Sequence, residues 1–147
     1  MSFISCEGSA LIPAVLPPTD SNVAVGSVIV PTLLTGVATA SNVYADAFTP
    51  ITLPKGVWVM SGTLSLSATG VETINASVLH CRLDGATNQG QLASNYPAFI
   101  TQGATFSFVM ISDGTNVVDL ATTATTTAGT WSIVAGINSL IKLVRVA

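Results

Sequence analysis

Residues 51–67 read ITLPKGVWVMSGTLSLS, and this stretch decides the fold. Its second part alternates with a period of two. One face carries Trp58, Met60, Gly62, Leu64 and Leu66, and the other carries Val57, Val59, Ser61, Thr63 and Ser65. Because successive side chains of a strand point to opposite faces, the alternation predicts a long half-buried strand. The Pro54-Lys55-Gly56 break predicts a turn or bulge before it, so we expect a short strand, a corner and a long strand.

The composition favours one domain that associates with copies of itself. The chain has 147 residues, of which 49% are hydrophobic and only 7% are charged, against about 25% charged in average proteins. Disorder requires low hydrophobicity and high charge, so it is excluded. A membrane-spanning helix requires about 18 unbroken apolar residues, and the sequence contains no such run. A surface with so few charges predicts a homo-oligomer, although a monomer with a threonine-rich surface remains an alternative.

The charged residues and cysteines argue against several kinds of partner. The net charge is −3, and the basic residues Lys55, Arg82, Lys142 and Arg145 are scattered. Binding to nucleic acid requires several basic groups near phosphates, so we expect none. The two cysteines, Cys6 and Cys81, lack zinc-site spacing and are typical of small buried residues. Their oxidation state and the redox compartment stay open.

Residues 1–26 are predicted to form an extended N-terminal arm, and residues 27–147 a jelly-roll domain. Pro13, Pro17 and Pro18 exclude a regular helix or central strand from the arm. Its apolar residues are Leu11, Ile12, Val15 and Leu16. They are candidates for docking on a partner protein, and the alternative is that the arm packs on its own domain or oligomer. The arm also makes a poor signal peptide, because no basic region precedes its apolar part.

Further alternating stretches at residues 73–83 and 103–112 predict strands, followed by turns at Asp84-Gly85 and at residues 113–116. We expect residues 116–127 to pair with residues 103–112 as a hairpin, and residues 35–42 and 92–100 to lack regular structure. About eight strands separated by short turns predict an all-β antiparallel jelly-roll sandwich. The predicted core is Trp58, Met60, Leu64, Leu66, Leu79, Leu83, Phe106, Phe108, Met110 and Leu120.

The last predicted strand, residues 137–146, is apolar on both faces. Ile141 and Leu143 alternate with Leu140, Val144 and Val146. A strand that is apolar on both sides is usually covered on both sides. The second cover must come from a neighbouring subunit or from the arm. The sequence therefore predicts an oligomer interface at Leu140, Lys142, Val144 and Val146.

No motif in the sequence predicts catalysis, a metal site or a cofactor. His80 is the only histidine, and a catalytic base needs a nucleophile and an orienting group beside it. Asp84 and Asp113 precede glycines, where turn geometry explains them. Trp58 and Trp131 could together form a sugar-stacking platform, but core packing is the more common role of such residues.

Three segments resemble a known family. Residues 51–62, ITLPKGVWVMSG, follow a loop with Asn42 and Thr49 and are similar to the LPxGxWxVxG opening strand of phage structural proteins. The similarity continues at residues 81–85, CRLDG, and closes with Thr130-Trp131 and residues 139–146, SLIKLVRV. These phage proteins share the jelly roll of tumour-necrosis-factor and complement globular heads.

The resemblance implies a homotrimer that serves as a non-enzymatic virion component, such as a capsid decoration, head fibre, spike or vertex protein. It also implies contacts with other capsid or virion proteins, a location on the outside of the virion, and contact with a host receptor. The alternative function on the same fold is a receptor- or carbohydrate-binding module.

Overall fold

Two antiparallel sheets packed face to face make up the computed structural model, which describes residues 23–70, 73–99, 101–136 and 139–147. Within these residues there are eleven strands. They are β1 Val28–Ile29, β2 Thr39–Ala40, β3 Ala45–Asp46, β4 Ile51–Thr52, β5 Gly56–Ala68, β6 Ile74–Leu83, β7 Ala86–Phe99, β8 Thr101–Ser112, β9 Val117–Thr126, β10 Thr130–Ile133 and β11 Leu140–Arg145. Four of them have only two residues, so the sandwich has more strands than the expected eight or so.

The long strand β5 is the centre of the first sheet, sheet I. On one side β5 pairs with β8 over all but its last residue, from Gly56 opposite Ser112 to Ser67 opposite Thr101. On the other side β5 pairs first with β11 and then with β10. The short strands β1 and β2 extend the sheet beyond β11 and β10, respectively. Sheet I is therefore built around the long strand that was predicted within residues 51–67.

The second sheet, sheet II, has β9 at its centre. β9 pairs with β6 on one side and with the short strands β3 and β4 on the other. β7 pairs with the far side of β6. β9 is buried along almost its entire length, because it is covered by neighbours on both edges and by sheet I on one face.

The predicted face assignment of β5 is confirmed. Trp58 and Met60 are completely buried between the sheets, and the Trp58 indole N–H donates to the carbonyl of Pro54 at 2.8 Å. This bond satisfies the one polar atom of the ring and ties the corner before β5 to the core. Nine of the ten predicted core residues are buried. Leu83 is the exception, since it is the last residue of β6 and is only partly buried against the core.

The predicted Asp84-Gly85 turn joins β6 to β7. Both residues have positive φ, 54° and 76°, which is the conformation of a type I′ hairpin turn. The Asp84 carboxylate accepts hydrogen bonds from the backbone N–H of Val117, at 2.7 Å, and from the side chain of Asn116, at 2.6 Å. These bonds lower the pKa of Asp84 below its usual value, the bond from Val117 most strongly. The contribution of this group to stability is therefore present above the unfolded carboxyl pKa and is lost as the pH falls through the lower folded pKa.

The expected hairpin between residues 103–112 and 116–127 is wrong. β8 pairs with β5 in sheet I, whereas β9 pairs with β6, β3 and β4 in sheet II. The turn at residues 113–116 therefore crosses from one sheet to the other. The physical reason lies in β9 itself, in which Ala121 and Thr123 are buried on one face and Val118 and Leu120 on the other. A strand buried on both faces belongs at the centre of a sheet.

Two regions expected to be irregular contain strands. Residues 39–40 form β2, which pairs with β10. The backbone of residues 92–99 continues β7, with a register shift between its Asn95 and Phe99. Pro97 falls within this shift, on a strand that pairs only with β6 among the described strands. An edge strand with a bulge accommodates a residue that has no N–H to donate.

Replacing Thr122 with valine should raise the free energy of unfolding by about 1 kcal/mol. Thr122 is completely buried, and its hydroxyl has no hydrogen-bond partner in the described part of the chain. Valine has nearly the same shape and removes the unpaired polar atom. Urea denaturation measures the change. In the matched control, Thr125→Val, stability should not rise, because the Thr125 hydroxyl donates to Asn42 Oδ1 at 2.7 Å.

Candidate functional site

The outer face of sheet I, turned away from the core, carries aliphatic side chains in register. One row crosses four strands, with Val144 opposite both Val28 and Val59, and Val59 opposite Val109. In the next row Ile111 lies opposite Val57, whose carbonyl accepts a hydrogen bond from the N–H of Val146 at 2.8 Å. Directly opposite residues of an antiparallel pair share a face. We call this set the valine face: Val28, Val57, Val59, Val109, Ile111, Val144 and Val146.

Much of the valine face is open to solvent. Ile111 is 71% exposed, Val109 59%, Val28 54% and Val146 47%. Single exposed hydrophobic residues are normal on protein surfaces, but a contiguous apolar patch marks an interaction site. Here the residues adjoin one another across four neighbouring strands, so the valine face is a candidate interface.

All four residues of the predicted oligomer interface lie on this side of β11. Leu140, Lys142 and Val146 are exposed and Val144 is half-buried, while the alternating Ile141 and Leu143 are buried in the core. Val144 and Val146 belong to the valine face. Leu140 and Lys142 lie beyond it, opposite Thr63 and Ser61 of β5. The interface itself stays a prediction.

The sequence did not predict that residues of β1, β5 and β8 lie beside β11 in the valine face. The alternation places Val109 and Ile111 on the side of β8 opposite the phenylalanines, and places Val57 and Val59 opposite Trp58. What it does not show is that β5 lies between β8 and β11. That arrangement depends on pairings such as Val59 with Val109 and Val59 with Val144, which are 50 and 85 positions apart and which local periodicity does not specify.

The predicted arm residues Leu11, Ile12, Val15 and Leu16 lie outside the described residues. The described chain begins at Val23, where the carbonyl accepts a hydrogen bond from Arg145 Nη1. The N–H of Gly26 donates to the carbonyl of Arg145 at 2.7 Å. Residues 23–26, assigned to the arm from the sequence, are thus held against β11. The chain enters the domain at the edge of the valine face.

The outer face of sheet II is polar, in contrast to that of sheet I. Arg82 donates to Asp119 Oδ1 through Nε and to Asp46 Oδ1 through Nη2, both at 2.6 Å. The Asp119 side chain is only 7% exposed. The pKa of Arg82 is raised, mainly by its hydrogen bond to Asp119, so the guanidinium remains charged. Beside this cluster, Tyr44 Oη and His80 Nε2 are 3.3 Å apart.

The metal-binding capacity and the thiol chemistry of the described residues can be read from their side chains. Among them no group of three histidine, cysteine or acidic residues could hold a metal ion. Cys81 is a buried free thiol whose pKa is raised to about 12, chiefly by burial and then by the charge of Asp119. It therefore stays protonated at neutral pH and is a poor nucleophile. The described part of the chain contains no helix that is long and apolar enough to cross a membrane.

The possible sugar-stacking platform is wrong. Trp58 and Trp131 are both completely buried, and the Trp131 indole N–H donates to the carbonyl of Ala40 at 2.9 Å. Neither ring presents a face to solvent, so neither can stack on a sugar. Both tryptophans have the packing role that the sequence favoured.

The arrangement of the two sheets is similar to that of a solved structure, described as "Structure of Eiger TNF from S. frugiperda". The TM-score is 0.51, and the match covers 84% of this chain and 92% of the other at 12% sequence identity. The fold is a tumour-necrosis-factor-like jelly roll. This confirms the expected jelly-roll fold. No protein-family model and no curated protein matches the sequence.

Proposed function

We propose that the protein is a non-enzymatic structural protein that assembles as a homotrimer through the valine face. The observation that carries this proposal is the aliphatic row Val28–Val144–Val59–Val109, in which Val28 and Val109 are exposed and Val144 and Val59 are half-buried. Burying such a face between copies removes apolar surface from water, which is favourable by about 25 cal/mol per Å². Few charges must be desolvated on assembly, because only 7% of all residues are charged.

The number three is supported by the fold. The sequence resemblance to tumour-necrosis-factor-like heads implies homotrimers with the last strand near the three-fold axis. In this chain the last strand, β11, carries Val144, is followed directly by Val146, and pairs with β5 at the centre of sheet I. A closed ring of three copies buries the valine face of each copy without leaving an open apolar surface for further growth.

We further propose that the trimer is an outer component of a virion, as a capsid decoration, head fibre, spike or vertex protein. The resemblance of residues 51–62 and 139–146 to phage structural proteins supports this role. The scattered basic residues also fit a position away from a packaged genome, because nucleic acid would require clustered positive charge. In this proposal the apolar arm residues Leu11, Ile12, Val15 and Leu16 contact another virion protein or an adjacent copy, and a host receptor is a possible further partner.

The trimer should dissociate when a charge is placed on the valine face. Val109→Glu adds a carboxylate at a side chain that is 59% exposed in the single chain. In the trimer each of these carboxylates would be buried without a partner, which is strongly unfavourable. Size-exclusion chromatography with light scattering at micromolar concentration should therefore give a trimer for the natural protein and a monomer for the variant.

Val43→Glu is the matched control, since Val43 is 50% exposed and lies outside the valine face. It should remain a trimer. A monomeric natural protein, or equal dissociation of the two variants, would contradict assembly through this face. A pentamer would keep the burial argument and refute the number three.

The virion role is tested separately by imaging particles with and without the protein. Density for a projecting trimer should appear only when the protein is present. Particles that are identical in the two preparations would refute the virion role and leave the assembly proposal intact. In the full chain, Leu11→Ser with Leu16→Ser should reduce attachment to the particle and leave the trimer in place.

A further inference from the structure

An apolar cavity of about 180 Å³ opens between the two sheets, where β2 and β10 of sheet I face β3 of sheet II. Trp131 and Ile133 contribute almost completely buried side chains to its walls. Leu34 and Val37, which are 41% and 62% exposed, form its lip. The Asp46 carboxylate is turned away, to the outer face of sheet II. Because an apolar cavity excludes water and accepts apolar groups, an aliphatic side chain is an occupant that fits.

A turn at residues 24–27 directs the N-terminal segment back along its own domain. The N–H of Ser27 donates to the carbonyl of Ala24 at 3.0 Å, and Gly26, the third residue of the turn, has a φ of 92°. Positive φ at the third residue, occupied by glycine, is typical of a type II turn. Since a β-turn reverses the chain, the segment before residue 24 is directed antiparallel to residues 28–37, the stretch that leads to the lip of the cavity.

The spacing along the chain brings apolar residues of the arm level with the lip. When a turn joins two antiparallel segments, positions at equal distances from the turn lie side by side. Leu16 is eight positions before the turn residue at 24, and Thr35 is eight positions after the turn residue at 27. Thr35 lies between the lip residues Leu34 and Val37. Leu16 and the adjoining Val15 are therefore level with the mouth of the cavity.

The composition of the arm suits an apolar cavity. Residues 10–18 read ALIPAVLPP and contain no charged residue, so docking this stretch buries no charge. Its three prolines restrict the free segment, which reduces the entropy lost on docking. Proline also lacks an N–H, so the segment cannot pair with the domain as a complete strand. Its aliphatic side chains must supply the contact.

We propose that the protein's own N-terminal segment fills this cavity, with Val15 and Leu16 as the side chains that enter it. The arm of an adjacent copy is a poorer occupant, because the turn at residues 24–27 directs each arm along its own domain. An arm anchored at these two residues still presents Leu11 and Ile12 to another virion protein or an adjacent copy. Within the proposed function, Val15 and Leu16 then act by holding the arm in place.

A disulfide tests the contact in the full-length protein. Ala14→Cys and Val37→Cys, in a Cys6→Ser background, place thiols ten positions from either end of the turn and leave Val15 and Leu16 intact. Under mild oxidation this pair should close within one chain at least about tenfold faster than Ala14→Cys with Asn75→Cys. Asn75 is exposed on β6, which β9 separates from β3. Non-reducing gels and intact mass measure the product.

A charge at the anchor distinguishes docking from simple tethering. Leu16→Asp, added to the Ala14→Cys and Val37→Cys protein, should slow the reaction about tenfold, since a carboxylate is costly to bury among apolar groups. Ala10→Asp is the matched control: it adds the same charge farther from the turn and should leave the rate nearly unchanged. Circular dichroism confirms that each variant is folded. The proposal is overturned if both cysteine pairs oxidise equally fast, if the disulfide joins two chains, or if Leu16→Asp has no effect.

Discussion

Replacing Arg82 with methionine is expected to lower the free energy of unfolding by about 3–5 kcal/mol. The substitution removes the only cation that contacts Asp119 in the described structure, and the Asp119 side chain is 7% exposed. Methionine keeps most of the length of the side chain, so the loss reports mainly on the unpaired carboxylate. Breaking one partner of a buried ion pair is costly because the remaining charge stays out of water without compensation. Chemical denaturation at a fixed protein concentration measures the effect.

A second substitution at Asp119 should rescue Arg82→Met, and loss of an exposed cation elsewhere should have little effect. Arg82→Met combined with Asp119→Asn should recover much of the lost stability, because the amide carries no charge to desolvate. Lys55→Met removes a cation that is exposed before β5 and lies outside the predicted interface, and it should change stability by less than about 0.5 kcal/mol. A failure of the double variant to exceed the single variant would show that Arg82 acts through packing and not through its charge.

The sequence predicted those parts of the fold that depend on local alternation. The buried face of β5 and the turn at Asp84-Gly85 are where the pattern placed them. Period-two alternation determines which side chains share a face, and a turn dipeptide determines where the chain reverses. Both signals are contained within a few residues, so they can be recognised in the sequence without a structure.

What the sequence did not predict depends on pairing between distant strands. The turn at residues 113–116 has the composition of a hairpin but crosses between the sheets, because burial on both faces places β9 at the centre of sheet II. The ion-paired group around Arg82 is a second feature that the sequence did not predict. Its members Asp46, Arg82 and Asp119 are 36 and 37 residues apart, and they meet only because β3, β9 and β6 are neighbours.

The valine face depends both on local alternation and on pairing between distant strands. The sequence identified Val144 and Val146 because the last predicted strand, residues 137–146, is apolar on both faces. The alternation of residues 103–112 also places Val109 and Ile111 on the outer side of β8, but it does not show which strands lie beside them. Only the register of β8, β5 and β11 makes these residues adjacent. A face assigned from one strand therefore becomes an interface candidate once the sheet order is known.

Gly62→Ala should lower the free energy of unfolding by about 3 kcal/mol or more. Gly62 lies in the middle of β5, opposite Ile141 of β11 and Phe106 of β8. A Cβ at this position would lie 2.0 Å from the carbonyl oxygen of Leu140 and 2.9 Å from the Cα of Ile141. Both are main-chain atoms, so no side-chain rotation relieves the overlap. β11 must move away from β5, which breaks ladder hydrogen bonds and displaces the core residues Ile141 and Leu143.

Gly103→Ala is the matched control in the same sheet. The nearest atom to its added Cβ is the Ser65 hydroxyl oxygen at 3.0 Å, a side-chain atom, and the nearest backbone atom is the Leu64 carbonyl oxygen at 3.9 Å. We expect a change below about 1 kcal/mol. Urea denaturation of both variants is compared at one protein concentration, because assembly makes apparent stability depend on concentration. Since Val144 lies on β11 and Val146 follows it directly, Gly62→Ala should also weaken the proposed trimer. Equal, small losses in the two variants would show that β5 and β11 do not approach as closely as the 2.0 Å contact requires.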